Sequence, residues 1–87
     1  DTLDLHGKTR DEALMLVENF VHYGVLHGAQ TLLIITRKGY RSGKEGPVLR
    51  PAVEEWLRRH GKQRVQRVQE APPRHGGSGA LWVTLRT

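Results

Sequence analysis

Leu3-Asp4-Leu5-His6-Gly7 sets an acid and an imidazole two residues apart near the start of the chain. On a strand alternate side chains share a face, which predicts Leu3 and Leu5 on one side and Asp4 and His6 on the other. At the usual rise their Cα atoms stand about 6.5–7 Å apart. An imidazole takes or gives a proton near neutral pH, and a neighbouring carboxylate orients it or supports its charged form. Gly7 lets the chain turn away behind them. The same pattern also fits a polar edge strand whose Asp and His only solvate one face.

A second group of residues suits an anion. Arg37 to Gly46 carries Gly39, Gly43 and Gly46 with four positive charges, Arg37, Lys38, Arg41 and Lys44. A glycine such as Gly39 permits close approach of a backbone N–H to a phosphate oxygen, with Lys38 and Arg41 supplying charge around it. The loop follows an apolar run and precedes a helix, a favourable place for phosphate, though the Gly-Lys-Ser/Thr ending of a Walker A loop is absent. A solvated basic turn is the plainer alternative. Gly76 to Gly79, with Arg74 and His75, reads either as a second mobile rim of the same site or as a plain connection. His22 and His27 have no second ligand at a metal-like spacing and read as surface or boundary histidines.

Composition narrows the function classes. Eighty-seven residues make one small domain. The absence of cysteine removes disulfides, thiolate catalysis and any Cys-based zinc site, and it suits a reducing, cytoplasmic setting. No apolar run approaches the roughly 20 residues needed to span a bilayer, so no membrane role is expected. The first residue is Asp and the first motif starts almost at once, as expected of a single domain, 1–87, trimmed from a longer protein.

Charge is unevenly spread. Residues 1–36 balance at −3 and residues 37–87 at +8. Basic side chains gather in two clusters: Arg37, Lys38, Arg41, Lys44 and Arg50, then Arg58, Arg59, Lys62, Arg64 and Arg67. A one-sided basic surface is the footprint of a polyanion binder, since neutralising phosphates releases counterions. A solvated basic face is the alternative.

These groups must be held by regular elements. Thr9-Arg10-Asp11-Glu12 reads as a capping box opening a helix from about Arg10 to His27, with apolar positions 13, 14, 17, 20, 21 and 25 and a stop at Gly28. Thr31 to Thr36 reads as a central strand buried on both sides or nearly so. A second helix buries Val48, Leu49, Ala52, Val53, Trp56 and Leu57. Its regular part begins near Val48–Arg50 because Pro51 lacks an N–H, and Gly61 ends it. A third extended segment runs from about Arg64 to Ala71. Pro72 to Gly79 is expected to be a flexible loop, and Ala80 to Arg86 the last strand, with Leu81, Val83 and Leu85 on one face and Trp82, Thr84 and Arg86 on the other. The order βαβαββ implies an α/β two-layer sandwich, a small mixed sheet with both helices packed on one face. The other face stays open for Asp4, His6 and Trp82.

Three segments taken in order carry a family resemblance: Leu3-Asp4-Leu5-His6-Gly7, Ile35-Thr36-Arg37-Lys38-Gly39-Tyr40-Arg41-Ser42, and Gly76-Gly77-Ser78-Gly79-Ala80-Leu81-Trp82-Val83. Together they resemble the small MutS-related (Smr) domain over nearly the whole chain, Gly46-Pro47-Val48-Leu49 included. The resemblance implies a two-layer sandwich like the C-terminal domain of a bacterial translation initiation factor. It implies nucleic-acid binding, and in several members endonuclease activity that nicks DNA or cuts RNA, including messenger RNA on stalled ribosomes. The family's Asp-Leu-His falls on Asp4, Leu5 and His6. Its second motif, His or Thr, Gly, any residue, Gly, falls on Thr36, Arg37, Lys38 and Gly39. Arg37 therefore replaces the motif's first glycine. An arginine there loses glycine's conformational freedom and adds a guanidinium that could clasp phosphate.

The leading expectation is an endonuclease with Asp4 and His6 as catalytic residues. Thr36, Arg37, Lys38, Gly39, Arg41, Ser42, Gly77 and Gly79 would then line the nucleic-acid site. On RNA, His6 could activate the 2′-hydroxyl without a metal. On DNA water must attack, and a divalent metal, magnesium or manganese, would assist. Two other readings stand beside it. One is a non-catalytic binding module for RNA or DNA in which Trp82 or Tyr40 stacks on an unpaired base. The other is a docking domain for a ribosome or a partner ATPase. Oligomeric state is not legible.

Overall fold

A computed structural model describes residues 1–36 and 49–86. Its elements are β1 (Thr2–Asp4), α1 (Arg10–Leu26), β2 (Thr31–Ile35), α2 (Leu49–Arg59), β3 (Val65–Glu70) and β4 (Ala80–Leu85), with 3₁₀ turns at Pro73–His75 and Gly77–Gly79 before β4. The sheet order is β1-β2-β4-β3. β1 runs parallel to β2, while β4 is antiparallel to both β2 and β3. The expected mixed sheet and two helices are present.

The alternation of β2 and β4 builds the core. Leu32 and Ile34 on β2 and Leu81, Val83 and Leu85 on β4 are fully buried beneath the helices. Ala13, Val17 and Val21 of α1 and Leu49, Val53 and Leu57 of α2 close over them. Burying each such Leu, Ile or Val contributes about 1.5–3 kcal/mol. Leu33 and Ile35 are half-buried, so β2 is covered fully on one side and partly on the other.

α1 begins with the anticipated capping box: Thr9 Oγ1 accepts from the Glu12 amide at 3.2 Å, and the Glu12 carboxylate accepts from the Thr9 amide at 3.0 Å. Its buried stripe differs from expectation at one turn. Val25 is exposed, and Gly24 faces the sheet instead. A Cβ on Gly24 would stand 3.1 Å from Leu32 Cδ2 and 3.3 Å from Leu85 Cδ1, so the helix approaches the strands closely there. α2 begins at Leu49, which leaves Pro51 in the first turn, where amides have no intrahelical acceptor. Gly61 follows its end for a packing reason, since a Cβ would stand 2.9 Å from the Leu57 carbonyl oxygen.

Residues 72–79, expected as a flexible loop, form two hydrogen-bonded turns. The amides of His75, Gly76 and Gly79 donate to the carbonyls of Pro72, Pro73 and Gly76 in turn. Gly76 and Gly77 adopt φ of 116° and 53°, which other residues rarely take, and so permit two successive turns.

Candidate active site at one end of the sheet

The C-terminal ends of β1 and β2 lie beside the N-terminal end of β4. Asp4, Ile35 and Ala80 are register partners across these three strands. One residue further, the Leu5 amide donates to the Ile35 carbonyl at 2.8 Å and the Thr36 amide to the Gly79 carbonyl at 2.9 Å. His6, Thr36 and Gly79 therefore leave the sheet at the same end. Three segments remote in sequence are brought together there.

Asp4 and His6 are arranged differently from the strand expectation. β1 ends at Asp4, and His6 and Gly7 form a turn closed by the Lys8 amide on the Leu5 carbonyl at 3.0 Å. Asp4 Oδ1 accepts the backbone N–H of His6 at 3.0 Å. An aspartate readily bonds the amide two residues on, and that bond competes with continued pairing in the sheet. Gly7, at φ 82°, completes the turn. Asp4 thus holds His6 through the main chain, and both side chains are exposed.

Thr36 is 2% exposed, a buried polar side chain whose hydroxyl reaches the Gly79 carbonyl at 3.4 Å. It ties the end of β2 to the glycine turn. Gly77 has open space where a Cβ would be, whereas a Cβ on Gly76 would stand 2.8 Å from the Ala80 Cβ. The turns thus fold over Ala80 on the open sheet face and bring the His75 ring to 5.2 Å from Trp82. Trp82 shares a register row with Leu33, Thr2 and Gln69 on that face and is half-buried. Arg37, Lys38, Gly39, Arg41 and Ser42, with Tyr40, lie outside the described residues.

Sequence reasoning missed the work of Arg50. Its charge places it in the first basic cluster, yet its guanidinium donates to the Ser78 carbonyl. It also lies 3.8 Å from the carboxylates of both Glu54 and Glu70. Arg50 therefore pins the Gly77–Gly79 turn to α2 and β3. The Arg50/Glu54 spacing of four was a legible sign that this charge has a local partner.

The arrangement presents an exposed imidazole on a turn locked by a carboxylate, beside a glycine turn held in three directions. Such a group can exchange a proton with a ligand that approaches this end of the sheet. Among the described residues, no three His, Asp or Glu side chains gather as a metal-ligand set. No helix among them is long and apolar enough to cross a membrane.

Comparison with known proteins places the fold in a family. The chain is 33% identical over 85 residues to the probable DNA endonuclease SmrA of Escherichia coli K12, covering 98% of this chain and 44% of that protein. It is 37% identical over 83 residues to Endonuclease MutS2 of Streptococcus pyogenes (serotype M5, strain Manfredo), covering 95% of this chain and 10% of that protein. The chain thus spans less than half the length of either relative. The crystal structure of YdaL, a stand-alone small MutS-related protein from E. coli, superposes with a TM-score of 0.88 at 32% identity, over 99% of this chain and 64% of that one. The Smr domain of Thermus thermophilus MutS2 superposes with a TM-score of 0.83 at 36% identity, over 100% and 99%. The sequence profile of the Smr domain matches residues 3–86, and the chain belongs to the Smr domain family.

Proposed function

We propose that this chain is an endonuclease domain that binds RNA or DNA and breaks phosphodiester bonds at the Asp4/His6 end of the sheet. The observation that carries the reading is the convergence there of the Asp4–His6 turn, Thr36 and the Gly77–Gly79 turn. Family membership with relatives named endonucleases supports it. His6 is the general acid or base. Asp4 positions it by accepting its backbone N–H and places a negative charge near the imidazole. Arg37, Lys38 and Arg41 hold the phosphate and offset its developing charge, while Gly39 and Ser42 shape the approach.

On RNA, His6 takes the proton of the 2′-hydroxyl, the 2′-oxygen attacks phosphorus, and the bond to the 5′-oxygen breaks. The products are a 2′,3′-cyclic phosphate and a 5′-hydroxyl, whose proton comes from solvent or a protonated side chain. On DNA the nucleophile is water, and magnesium or manganese would assist by lowering its pKa.

Labelled RNA and DNA of matched sequence, incubated with the chain with and without EDTA, test this reading. Cleavage that is lost in His6→Ala while binding persists supports it. Binding without cleavage of any substrate would favour the non-catalytic module, a reading to which the excess positive charge of residues 37–87 also lends weight. A 5′-phosphate product requiring magnesium would replace the 2′-hydroxyl route with attack by water.

A further inference from the structure

The opposite end of β4 holds a second concentration of charge. Arg58 in the last turn of α2, Lys62 in the turn after it, Arg67 on β3 and Arg86 just beyond β4 line one cleft of about 210 Å³. Leu57, Val65 and Val68 form its apolar part, and among the described residues no carboxylate lines it. The ion pairs of the described residues engage Arg50 and Arg59 and leave these four cations without an acidic partner. Arg86 is pre-positioned: its Nε donates to the Lys62 carbonyl at 2.9 Å and its amide to the Arg64 carbonyl at 2.7 Å. That brace fixes the turn bearing Lys62 beside the end of β4. Unpaired cations held around a concave surface are suited to phosphate oxygens, which Arg engages through its planar fork.

The location gives the cleft a length scale. β4 starts beside the Asp4/His6 end and finishes beside Arg86, five residue steps away. At about 3.4 Å per step this is roughly 17 Å, the rise of about five base pairs. We infer that this cleft is an anchoring site for the phosphate backbone of nucleic acid, engaging the strand about five base pairs from the bond at the Asp4/His6 end. The inference rests on the nucleic-acid-acting reading proposed above, but concerns a separate surface. The competing account is that Arg67 on the edge strand β3, with the cations beside it, serves only to prevent pairing with another chain.

The two accounts separate in one experiment. Binding of hairpin duplexes with four and with twelve base pairs is measured across a salt series for the parent and for Arg58→Gln/Lys62→Gln/Arg67→Gln. Arg86 is kept because it braces the turn, and the far-ultraviolet circular dichroism and melting of the variant establish that it folds. On the longer hairpin the log–log salt slope should shrink by up to about 2.7, at about 0.9 per lost contact, and on the shorter one it should change little. Equal slopes for parent and folded variant on the longer hairpin would overturn the inference, and self-association of that variant would then identify the charges as edge guards. Should the variant not fold, the three single substitutions are measured instead, each expected to lower the slope by up to about 0.9. Cleavage is followed on the same hairpins. Salt-dependent loss of binding with no cleavage by the parent removes the endonuclease reading and keeps the anchor; cleavage with unchanged slopes does the reverse.

Discussion

The two ends of β4 use arginine in opposite ways. At the N-terminal end, Arg50 is turned inward onto the Ser78 carbonyl and lies against Glu54 and Glu70. At the C-terminal end, Arg58, Lys62 and Arg67 have no carboxylate partner among the described residues, and Arg86, braced there, uses Nε and leaves the rest of its fork toward the cleft. The first end holds its parts in place by hydrogen bonds among themselves, and the second presents charge outward. Net charge alone cannot distinguish them. What separates a structural cation from a ligand-facing one is whether an acceptor from the chain already occupies it.

The largest effect that could break this contrast concerns His6. Removing a general acid or base costs about 10²–10⁴-fold in rate. His6→Ala should therefore abolish most cleavage in a labelled-RNA assay while the salt slope of binding stays at the parent value. Asp4 sharpens the point, because its carboxylate both carries charge and closes a turn. Asp4→Asn retains an oxygen acceptor for the His6 amide and loses the charge; Asp4→Ala loses both. The Asn variant should melt near the parent temperature but cleave more slowly, and the Ala variant should be the worse on both counts. Equal rates for parent and Asn would show that the charge has no part in the reaction.

A middle-sized effect exchanges the two ends. Arg50→Ala removes hydrogen bonding by a charged group that holds the glycine turn, at a cost of about 1.5–3 kcal/mol. For a domain of this size each kcal/mol corresponds to about 4–8 °C in melting temperature. Arg50→Ala should thus lower the melting temperature by several degrees and leave the salt slope unchanged, whereas the triple Gln substitution in the cleft should do the opposite. If Arg50→Ala instead reduced the slope by about 0.9 without a stability loss, Arg50 would be a phosphate contact and the contrast would fail.

Much of the scaffold was legible because it rests on local patterns. The capping box at Thr9–Glu12, the alternation of β4 and the 3/4 spacing of α2 each follow from a handful of neighbouring residues. The misreadings share a cause, which is that the deciding partner is distant or belongs to the main chain. Nothing near Gly24 announces that Leu32 and Leu85 press against it, so Val25 looked like the core residue. Residues 72–79 carry two prolines and three glycines and looked flexible, yet their order comes from backbone bonds and from Arg50 more than twenty residues earlier. The candidate site was legible as a set of types, Asp4, His6, Thr36, Gly77 and Gly79, but not as a geometry. Asp4 grips the His6 amide, where side-chain spacing suggests a direct pairing with the imidazole, and Thr36, which the family resemblance assigns to the ligand site, also reaches the Gly79 carbonyl.

The smallest predicted effect tests the other anchor of the His6 turn. That turn runs through Gly7 and Lys8 directly into the capping box, so Thr9 and Glu12 hold its far side as Asp4 holds its near side. Thr9→Ala should cost about 1 kcal/mol, as loss of a helix cap usually does, and lower the melting temperature accordingly. The Glu12 carboxyl titrates below its ordinary value of 4.5, foremost because the Thr9 backbone amide donates to it. A group whose pKa is lower in the folded state stabilises the fold above its unfolded value and loses that contribution as pH falls through the folded one. Glu12→Gln keeps an acceptor but cannot ionise. The parent should therefore melt above Glu12→Gln at neutral pH, and the gap should close as pH drops below 4.5. A gap that persists unchanged in acid would mean that the shape of the box, rather than the carboxylate charge, holds this side of the turn.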